Sequence, residues 1–269
     1  MTENKLDLIF KAYDIRGIFG DTLTPEIAYK IGYAVADFVS SNEIIVGHDG
    51  RLSNKEMFNA VASGIRKNNK SVLYIGTVPT DVVYSLSGLK ELPGVIITAS
   101  HNPKEWTGLK FCDAGATPVG VESGLQEIKE KVSGINIDIE IFDNFQRQDL
   151  VDTYIQHLNT IVKPEYVDKS INFGIDAANG ALGSVLEDLK SSYDLKFEGL
   201  YLDVDGNFPN HPADPSNIKN LKELKDLVIS EKKDFGVAFD GDADRAVSVS
   251  YTHLRAHETR EDRGWRGVG

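Results

Sequence analysis

The sequence has a single cysteine among its 269 residues, so an intrachain disulfide framework is excluded. Long apolar runs are also missing, because no stretch approaches the ~20 apolar residues that a membrane-spanning helix needs. The first ten residues lack the apolar core of a signal peptide. These absences favour a protein of the reducing cytoplasm with no membrane partner.

Positive charge is scarce as well. Lysine and arginine together number 29 against 41 aspartates and glutamates, which gives a net charge of −12. This excess of negative charge argues against a nucleic-acid partner. Small phosphates are still possible ligands where local basic groups or a metal ion outweigh the repulsion from the net negative charge. The content of 41% hydrophobic and 26% charged residues is typical of a globular protein.

The basic residues are unevenly distributed. All 20 lysines lie at or before Lys233, whereas four of the nine arginines fall within residues 251–269. That stretch has neither helical nor strand periodicity. It is either a solvated basic tail or foreign sequence that follows the native reading frame, which would then stop near Ser250. We favour the second interpretation and expect residues 250–269 to be a non-native tail.

The first 250 residues alternate apolar runs with amphipathic patterns, which predicts α/β layering. Two successive units are expected, at 1–150 and 151–249, joined by a helix near 149–162. Thr24-Pro25 predicts one helix start, and Ser53 with Glu56 predicts another through a capping box. The predicted strands are 44–46, 72–75, 95–98, 109–112, 171–175, 195–200 and 235–239. The other predicted helices are 81–89, 125–132, 182–190 and 218–229.

Ser100 lies in a polar loop, TASHNP, that directly follows an apolar strand. Ligands of open α/β sheets gather beyond the carboxyl ends of strands, so this serine is a candidate nucleophile. His101, Asn102 and Lys110 are candidate neighbours for incoming negative charge. The alternative is a turn in which the serine and asparagine bond their own backbone.

Asp240, Asp242 and Asp244 follow another apolar strand at alternate positions. Three adjacent carboxylates repel one another, and a hard divalent cation such as Mg²⁺ would relieve that repulsion. The alternative is a solvated acidic turn. An EF-hand is excluded because Arg245 stands at its glycine position. A haloacid-dehalogenase phosphatase fits poorly, because it requires threonine or valine where this chain has Asp244.

Four further polar residues are interpreted as structural. Asp49 and Arg51 also follow a strand and are expected to form a structural pair. His211 lies in the HPADP segment, which indicates a rigid turn rather than a metal site. Cys112 is expected to be buried in the core rather than reactive.

Five motifs occur in the order found in the α-D-phosphohexomutases, and the chain resembles that family over residues 6–249. The resemblance is strongest to the phosphomannomutase/phosphoglucomutase branch. It implies two successive three-layer α/β domains with mixed sheets, the first two of four family domains. The motifs are FKAYDIRG (10–17), TASHNP (98–103), GLK (108–110), DGNFPNHPADP (205–215) and DGDADR (240–245).

The resemblance implies a phosphoryl transfer between hexose phosphates, which would be the small-molecule partners. Ser100 would carry the phosphoryl group, and a hexose 1,6-bisphosphate would be both intermediate and activator. Ser100 and the three aspartates, Asp240, Asp242 and Asp244, would hold Mg²⁺.

Catalytic and phosphate-binding roles carry over to five further positions. Lys110 would be the general acid/base, which requires a lowered pKa or tight coupling to the phosphate; otherwise it is a solvent-facing lysine. His101 would assist catalysis or merely orient the loop. Arg16, Arg245 and Tyr13 would contact substrate, although Arg16 could be a surface arginine and Tyr13 a packing residue.

The resemblance also implies a third and a fourth domain beyond these residues. We therefore expect the 269-residue chain to fold but to be an inactive N-terminal part of a mutase. Two alternatives stay open at this point. One is a Mg²⁺-dependent phosphohydrolase with an aspartate nucleophile, and the other is a non-catalytic phosphosugar-binding module.

Overall fold

The computed structural model describes residues 5–250, which form two α/β domains in succession. The first domain contains eleven helices and strands among the described residues. These are α1 (Lys5–Ile9), β1 (Ile15–Ile18), α2 (Pro25–Phe38), β2 (Glu43–His48), α3 (Asn54–Lys67), β3 (Ser71–Thr77), α4 (Thr80–Lys90), β4 (Gly94–Ile97), β5 (Trp106–Asp113), β6 (Thr117–Pro118) and α5 (Leu125–Gly134).

The second domain begins with a helix and continues as a smaller α/β unit. Its elements are α6 (Val151–Ile161), β7 (Asn172–Asp176), α7 (Leu186–Tyr193), β8 (Lys196–Leu200), α8 (Lys222–Ser230), β9 (Phe235–Phe239) and β10 (Ala246–Ser250). The helix predicted near 149–162 forms as α6. The boundaries 1–150 and 151–249 stay a prediction, and residues 251–269 of the predicted tail lie outside the described residues.

Both sheets are mixed, as expected. In the first, the strand order is β1-β5-β4-β2-β3 with β6 beside β5. Strand β2 is parallel to β3 and β4, whereas β5 is antiparallel to β1 and β4. In the second, the order is β10-β9-β7-β8, and only β10 is antiparallel to its neighbour. The loops after β4 and β9 therefore leave the carboxyl ends of parallel strands, where ligands gather.

The two predicted helix caps have different outcomes. The Thr24 cap is confirmed, since its side chain accepts a hydrogen bond from the Ile27 N–H and Pro25 occupies the first helical position. The capping box at Ser53 is wrong. Ser53 already has a helical backbone (φ −69°, ψ −15°), so its hydroxyl makes no cap hydrogen bond. Asn54 instead anchors this helix start by donating to Asp49.

An apolar cluster runs from one face of the first sheet into the second domain. It joins Ile45 and Val82 of the first domain to Tyr154, Ile175 and Leu186 of the second. Helix α6 lies between α4 and α7 in this cluster. The shared core determines how the loops of one domain face those of the other. Among residues 5–250, no helix is long and apolar enough to cross a bilayer.

Candidate active site

The two predicted loops meet at a hydrogen bond between the domains. Ser100 follows β4 and Asp240 follows β9. The Ser100 hydroxyl donates to Asp240 Oδ2 at 2.6 Å, and both residues are fully buried. The alternative in which the Ser100 hydroxyl bonds its own backbone is therefore wrong.

Ser100 has a left-handed backbone conformation, with φ +52°. A non-glycine residue in this region costs about 1–3 kcal/mol and persists only where its surroundings hold it. Here the Ser100 N–H donates to Thr98 Oγ1 at 2.8 Å, and the Asn102 N–H donates to the Ala99 carbonyl at 3.0 Å. The loop thus turns the serine out of the strand direction and toward the second domain.

The three aspartates form a compact oxygen cluster. One carboxylate oxygen from each of Asp240, Asp242 and Asp244 lies within 4.8 Å of the others. Asp240 and Asp242 are fully buried, so the alternative of a solvated acidic turn is wrong. Burial and the neighbouring Asp242 charge raise the pKa of Asp240 to about 7. The Asp242 Oδ1 atom is buried with no hydrogen-bond partner among the described residues.

Lys110 connects the first domain to this cluster. Its Nζ lies 2.7 Å from Asp242 Oδ2 and 2.6 Å from Asp244 Oδ2, and its side chain is only 13% exposed. The solvent-facing alternative is therefore wrong. Burial opposes the charge on Lys110, but the charges and hydrogen bonds of the two aspartates outweigh it and raise the Lys110 pKa. Burial also opposes the charge on Asp242, yet Lys110 and Thr80 lower the pKa of that carboxyl.

Thr80 is a site residue that the sequence reasoning missed. Its hydroxyl donates to Asp242 Oδ2 at 2.6 Å, and its backbone N–H donates to the Asp242 carbonyl at 3.0 Å. Thr80 is the first residue of α4, and two residues, Val78 and Pro79, separate it from the end of β3. The sequence signal that could have identified Thr80 is a hydroxyl residue at the start of a helix that follows a parallel strand.

The other cationic candidates differ in how firmly they are held. The Arg16 guanidinium bonds Asp14 Oδ2 at 2.7 Å and also donates to Asn102 Oδ1, so the surface-arginine alternative is wrong. Arg245 is half exposed, and its Nε lies 4.0 Å from Asp244 Oδ1. Arg16 of the first domain and Arg245 of the second both contribute positive charge beside the Ser100 and Asp240 loops.

His101 and Tyr13 complete the predicted set. His101 Nδ1 lies 3.3 Å from Ser100 Oγ. Burial lowers the His101 pKa, and the charges of Arg245 and Arg16 lower it further. Tyr13 is 82% exposed, so the interpretation of Tyr13 as a packing residue is wrong.

These side chains surround a cleft of about 830 Å³, lined by Tyr13, Arg16, Lys110, Asp244 and Arg245 among others. Ser100 is fully buried and does not line this cleft.

The four residues interpreted as structural all have partners within the fold. Arg51 Nε lies 3.1 Å from Asp49 Oδ2, with both side chains fully buried. His211 Nε2 lies 2.9 Å from Asp176 Oδ2. Cys112 is buried, and its thiol lies 3.8 Å from the Gly94 carbonyl.

Two family descriptions match this sequence in order. Residues 7–136 match "Phosphoglucomutase/phosphomannomutase, alpha/beta/alpha domain I". Residues 152–252 match "Phosphoglucomutase/phosphomannomutase, alpha/beta/alpha domain II". The chain belongs to the phosphoglucomutase/phosphomannomutase family.

Relatives in the phosphoglucomutase/phosphomannomutase family share about a third of the sequence. A phosphomannomutase of Vibrio cholerae is 34% identical over 248 residues, covering 88% of this chain and 53% of that protein. A phosphomannomutase/phosphoglucomutase of Pseudomonas aeruginosa is 36% identical, covering 91% of this chain and 52% of that protein. The chain thus spans about half the length of these curated relatives.

A solved structure of a phosphoglucomutase/phosphomannomutase family protein from Burkholderia thailandensis has the same fold. It superposes with a TM-score of 0.77 at 29% identity, covering 92% of this chain and 55% of that chain. The predicted fold class and family resemblance are confirmed.

Proposed function

We propose that this chain supplies the phosphoserine loop and the metal loop of a phosphohexomutase, which interconverts hexose 1-phosphate and hexose 6-phosphate. The observation that carries the proposal is the meeting of Ser100 with Asp240 at 2.6 Å beside the Lys110–Asp242 pair. A buried hydroxyl, an oxygen cluster for a cation and several basic side chains are the parts that phosphoryl transfer requires.

The proposed reaction starts from a phosphoryl group on Ser100. The bond between Ser100 Oγ and phosphorus breaks while a sugar hydroxyl oxygen bonds to phosphorus, and the proton of that hydroxyl passes to a base. The product is a hexose 1,6-bisphosphate. After this intermediate turns round, Ser100 Oγ bonds to the phosphorus of the other phosphate and gives up its proton, while the bond between that phosphorus and the sugar oxygen breaks. The sugar oxygen takes a proton from the general acid and leaves as a hydroxyl, so the enzyme regains its phosphoserine.

Asp240, Asp242 and Asp244 would hold Mg²⁺, with an oxygen of the Ser100 group as a further ligand. The donor set fits a hard cation, since the oxygens cluster and Asp242 Oδ1 lacks a partner among the described residues. When bound, the cation would supply positive charge that stabilises the transferring phosphoryl group.

Lys110 is the proposed general acid/base at the sugar hydroxyl. Its raised pKa would disfavour the neutral form that accepts a proton. Lys110 shares Asp242 and Asp244 with the cation site. Ligation of a cation by these carboxylates would weaken the interactions that raise the Lys110 pKa.

Arg16, Arg245 and Tyr13 are the proposed contacts to substrate, because all three line the cleft. His101 is placed to assist at Ser100 Oγ, 3.3 Å from its Nδ1. The partners we propose are small hexose phosphates rather than nucleic acids or membranes, and the proposed location is the cytoplasm.

We expect residues 1–269 expressed alone to accept a phosphoryl group without sustained mutase turnover. Both hydroxyls of the sugar must reach the same serine, which requires the sugar to be held at both ends. Within residues 5–250, the cleft beside the aspartate cluster is lined by Arg16, Lys110 and Arg245, which we propose hold one end of the sugar.

The test is incubation of the protein with glucose 1,6-bisphosphate and Mg²⁺, followed by phosphopeptide mapping. We expect one phosphate on Ser100 and none in Ser100→Ala, with Ser133→Ala at an exposed serine as the matched control. Release of inorganic phosphate without a phosphoserine would indicate the phosphohydrolase alternative. Bisphosphate binding with neither phosphoserine nor phosphate release would indicate a non-catalytic module.

A further inference from the structure

We propose that Arg51 is a positioning residue that holds the Ser100 loop and the second domain in one arrangement. The proposal rests on the proposed function insofar as Ser100 is the phosphoryl carrier. Arg51 does not line the cleft, so it would act on the reaction through the position of Ser100 rather than through substrate.

Every N–H of the Arg51 guanidinium has an acceptor. Nε donates to Asp49 Oδ2 at 3.1 Å. The other four N–H groups donate to three backbone carbonyls of the loop that carries the serine and to the carbonyl of the first residue of β5. These acceptors are the carbonyls of Ser100 at 2.7 Å, Asn102 at 2.7 Å, Pro103 at 2.7 Å and Trp106 at 3.0 Å. A lysine cannot replace this planar fork, because its ammonium offers all its protons at one point.

Asp49 holds the start of the same loop. Its Oδ2 accepts a hydrogen bond from the Thr98 hydroxyl at 2.8 Å, and Thr98 Oγ1 in turn accepts from the Ser100 N–H at 2.8 Å. Asn54 donates to Asp49 Oδ1 at 2.6 Å. The Ser100 peptide is therefore held at its N–H through Asp49 and at its carbonyl through Arg51, which explains how its left-handed conformation persists.

The Ser100 carbonyl also meets the metal loop of the second domain. A Cβ added at Gly241, between Asp240 and Asp242, would lie 2.7 Å from the Ser100 oxygen. Only glycine fits so close an approach. The Ser100 carbonyl oxygen thus accepts a hydrogen bond from Arg51 and also packs against Gly241 of the aspartate loop. A displaced Ser100 carbonyl would therefore displace the aspartates as well.

The second domain also packs against the backbone of residues 50–52, which includes Arg51. A Cβ added at Gly206 would lie 2.6 Å from both the Gly50 oxygen and the Leu52 nitrogen. The Phe208 ring lies beside the guanidinium, with its centroid 5.4 Å from Arg51 Cζ. Arg51 therefore contacts both the serine loop and the second domain. The distance between these two parts of the molecule sets the distance between Ser100 and Asp240.

The test is hydrogen–deuterium exchange of the whole chain as wild type, Arg51→Lys and Phe208→Leu. The matched control is Arg66→Lys. The Arg66 guanidinium lies 4.9 Å from the Phe142 ring and 5.2 Å from the Phe145 ring, and its one side-chain hydrogen bond within residues 5–250 is an exposed bond to Asn144. We expect Arg51→Lys to speed exchange in residues 98–106 and also in residues 240–245, across the domain boundary. Residues 25–38 should exchange as in wild type, which shows that the fold is retained.

Phe208→Leu removes the ring and leaves the hydrogen bonds of Arg51 in place. We expect it to speed exchange in residues 204–208 and 240–245 while residues 98–106 keep the wild-type rate. If Arg51→Lys does not fold, exchange in residues 240–245 of Phe208→Leu still tests whether the contact with Arg51 positions the aspartate loop. Wild-type exchange at 240–245 in the folded variants would overturn the proposal, as would an equal effect of Arg66→Lys.

A second readout separates positioning from substrate binding. In Arg51→Lys we expect the rate of Ser100 phosphorylation at saturating glucose 1,6-bisphosphate to fall about 100-fold, because a displacement of ~1 Å can cost that much. The bisphosphate concentration that gives half the maximal rate should be unchanged. A change confined to that concentration would contradict the proposal. If wild-type Ser100 takes no phosphate, the proposed function fails, and the exchange data still decide the role of Arg51.

Discussion

Lys110 Nζ lies 2.7 Å from Asp242 Oδ2, although the two residues belong to different domains. The aspartate side chain is fully buried and the lysine side chain nearly so, which distinguishes this pair from exposed ion pairs such as Lys222–Asp226 at 2.5 Å. A buried charge that loses its partner is costly, whereas an exposed pair contributes little. Lys222–Asp226 is therefore a matched control for substitutions at the site.

The first prediction concerns the aspartate of this pair. Asp242→Asn removes one charge from the three-carboxylate cluster and should weaken Mg²⁺ binding at least ~10-fold, or about 1.4 kcal/mol. Isothermal titration calorimetry measures the affinity, with Asp226→Asn as the control. Unchanged Mg²⁺ affinity in Asp242→Asn would refute a ligand role for Asp242.

The second prediction concerns the lysine. Lys110 and a divalent cation compete for the oxygens of Asp242 and Asp244, so Lys110→Gln should strengthen Mg²⁺ binding, by about tenfold. Lys222→Gln should leave the affinity as it is. The same calorimetric titration applies, and weaker binding in Lys110→Gln would contradict the competition.

The third prediction tests Thr80. Thr80→Val keeps the shape of the side chain but removes the hydrogen bond of 2.6 Å to Asp242 Oδ2. The free energy of unfolding should fall by about 1–3 kcal/mol, because a buried carboxylate loses a donor. Urea unfolding measures this change. Thr160→Val, which removes an exposed hydroxyl donor to the His157 carbonyl, should stay within about 0.5 kcal/mol of wild type.

The fourth prediction concerns pH. Burial opposes the charge on His211, but its hydrogen bond to Asp176 outweighs burial and raises the His211 pKa. The stabilisation from this pair is therefore fully present below the unfolded pKa of about 6.5 and is lost as pH rises through the higher folded pKa. The difference in unfolding free energy between wild type and His211→Gln should be largest near pH 5–6 and should shrink above the folded pKa.

An NMR titration of the His211 ring checks the cause of that pH dependence. The wild-type midpoint should lie above about 6.5 and should fall in Asp176→Asn, which removes the charge of the partner. A midpoint that does not respond to Asp176→Asn would show that another group raises the pKa.

Local sequence signals were enough to locate the two loops that meet at the candidate site. Apolar runs before Ser100 and Asp240 predicted strands whose carboxyl ends carry ligand-binding residues, and those strands form as β4 and β9. The Thr24 cap was likewise predictable, because a cap depends on residues only three positions apart. Local hydrophobic patterning and local hydrogen bonding therefore account for the fold class and for the places of the Ser100 and Asp240 loops in it.

The contacts between those residues depend on how the two domains pack. Thr80 contacts Asp242 across 162 positions of sequence, and Lys110 does so across 132, so neither contact has a local signal. The acid/base role of Lys110 was predicted to require a lowered pKa or tight coupling to the phosphate, and two carboxylates of the other domain instead raise that pKa. The Ser53 capping box did not form because that residue is already helical and Asn54 bonds Asp49. Each of these outcomes depends on the tertiary surroundings of the residue, which the packing of the sheets, helices and domains determines.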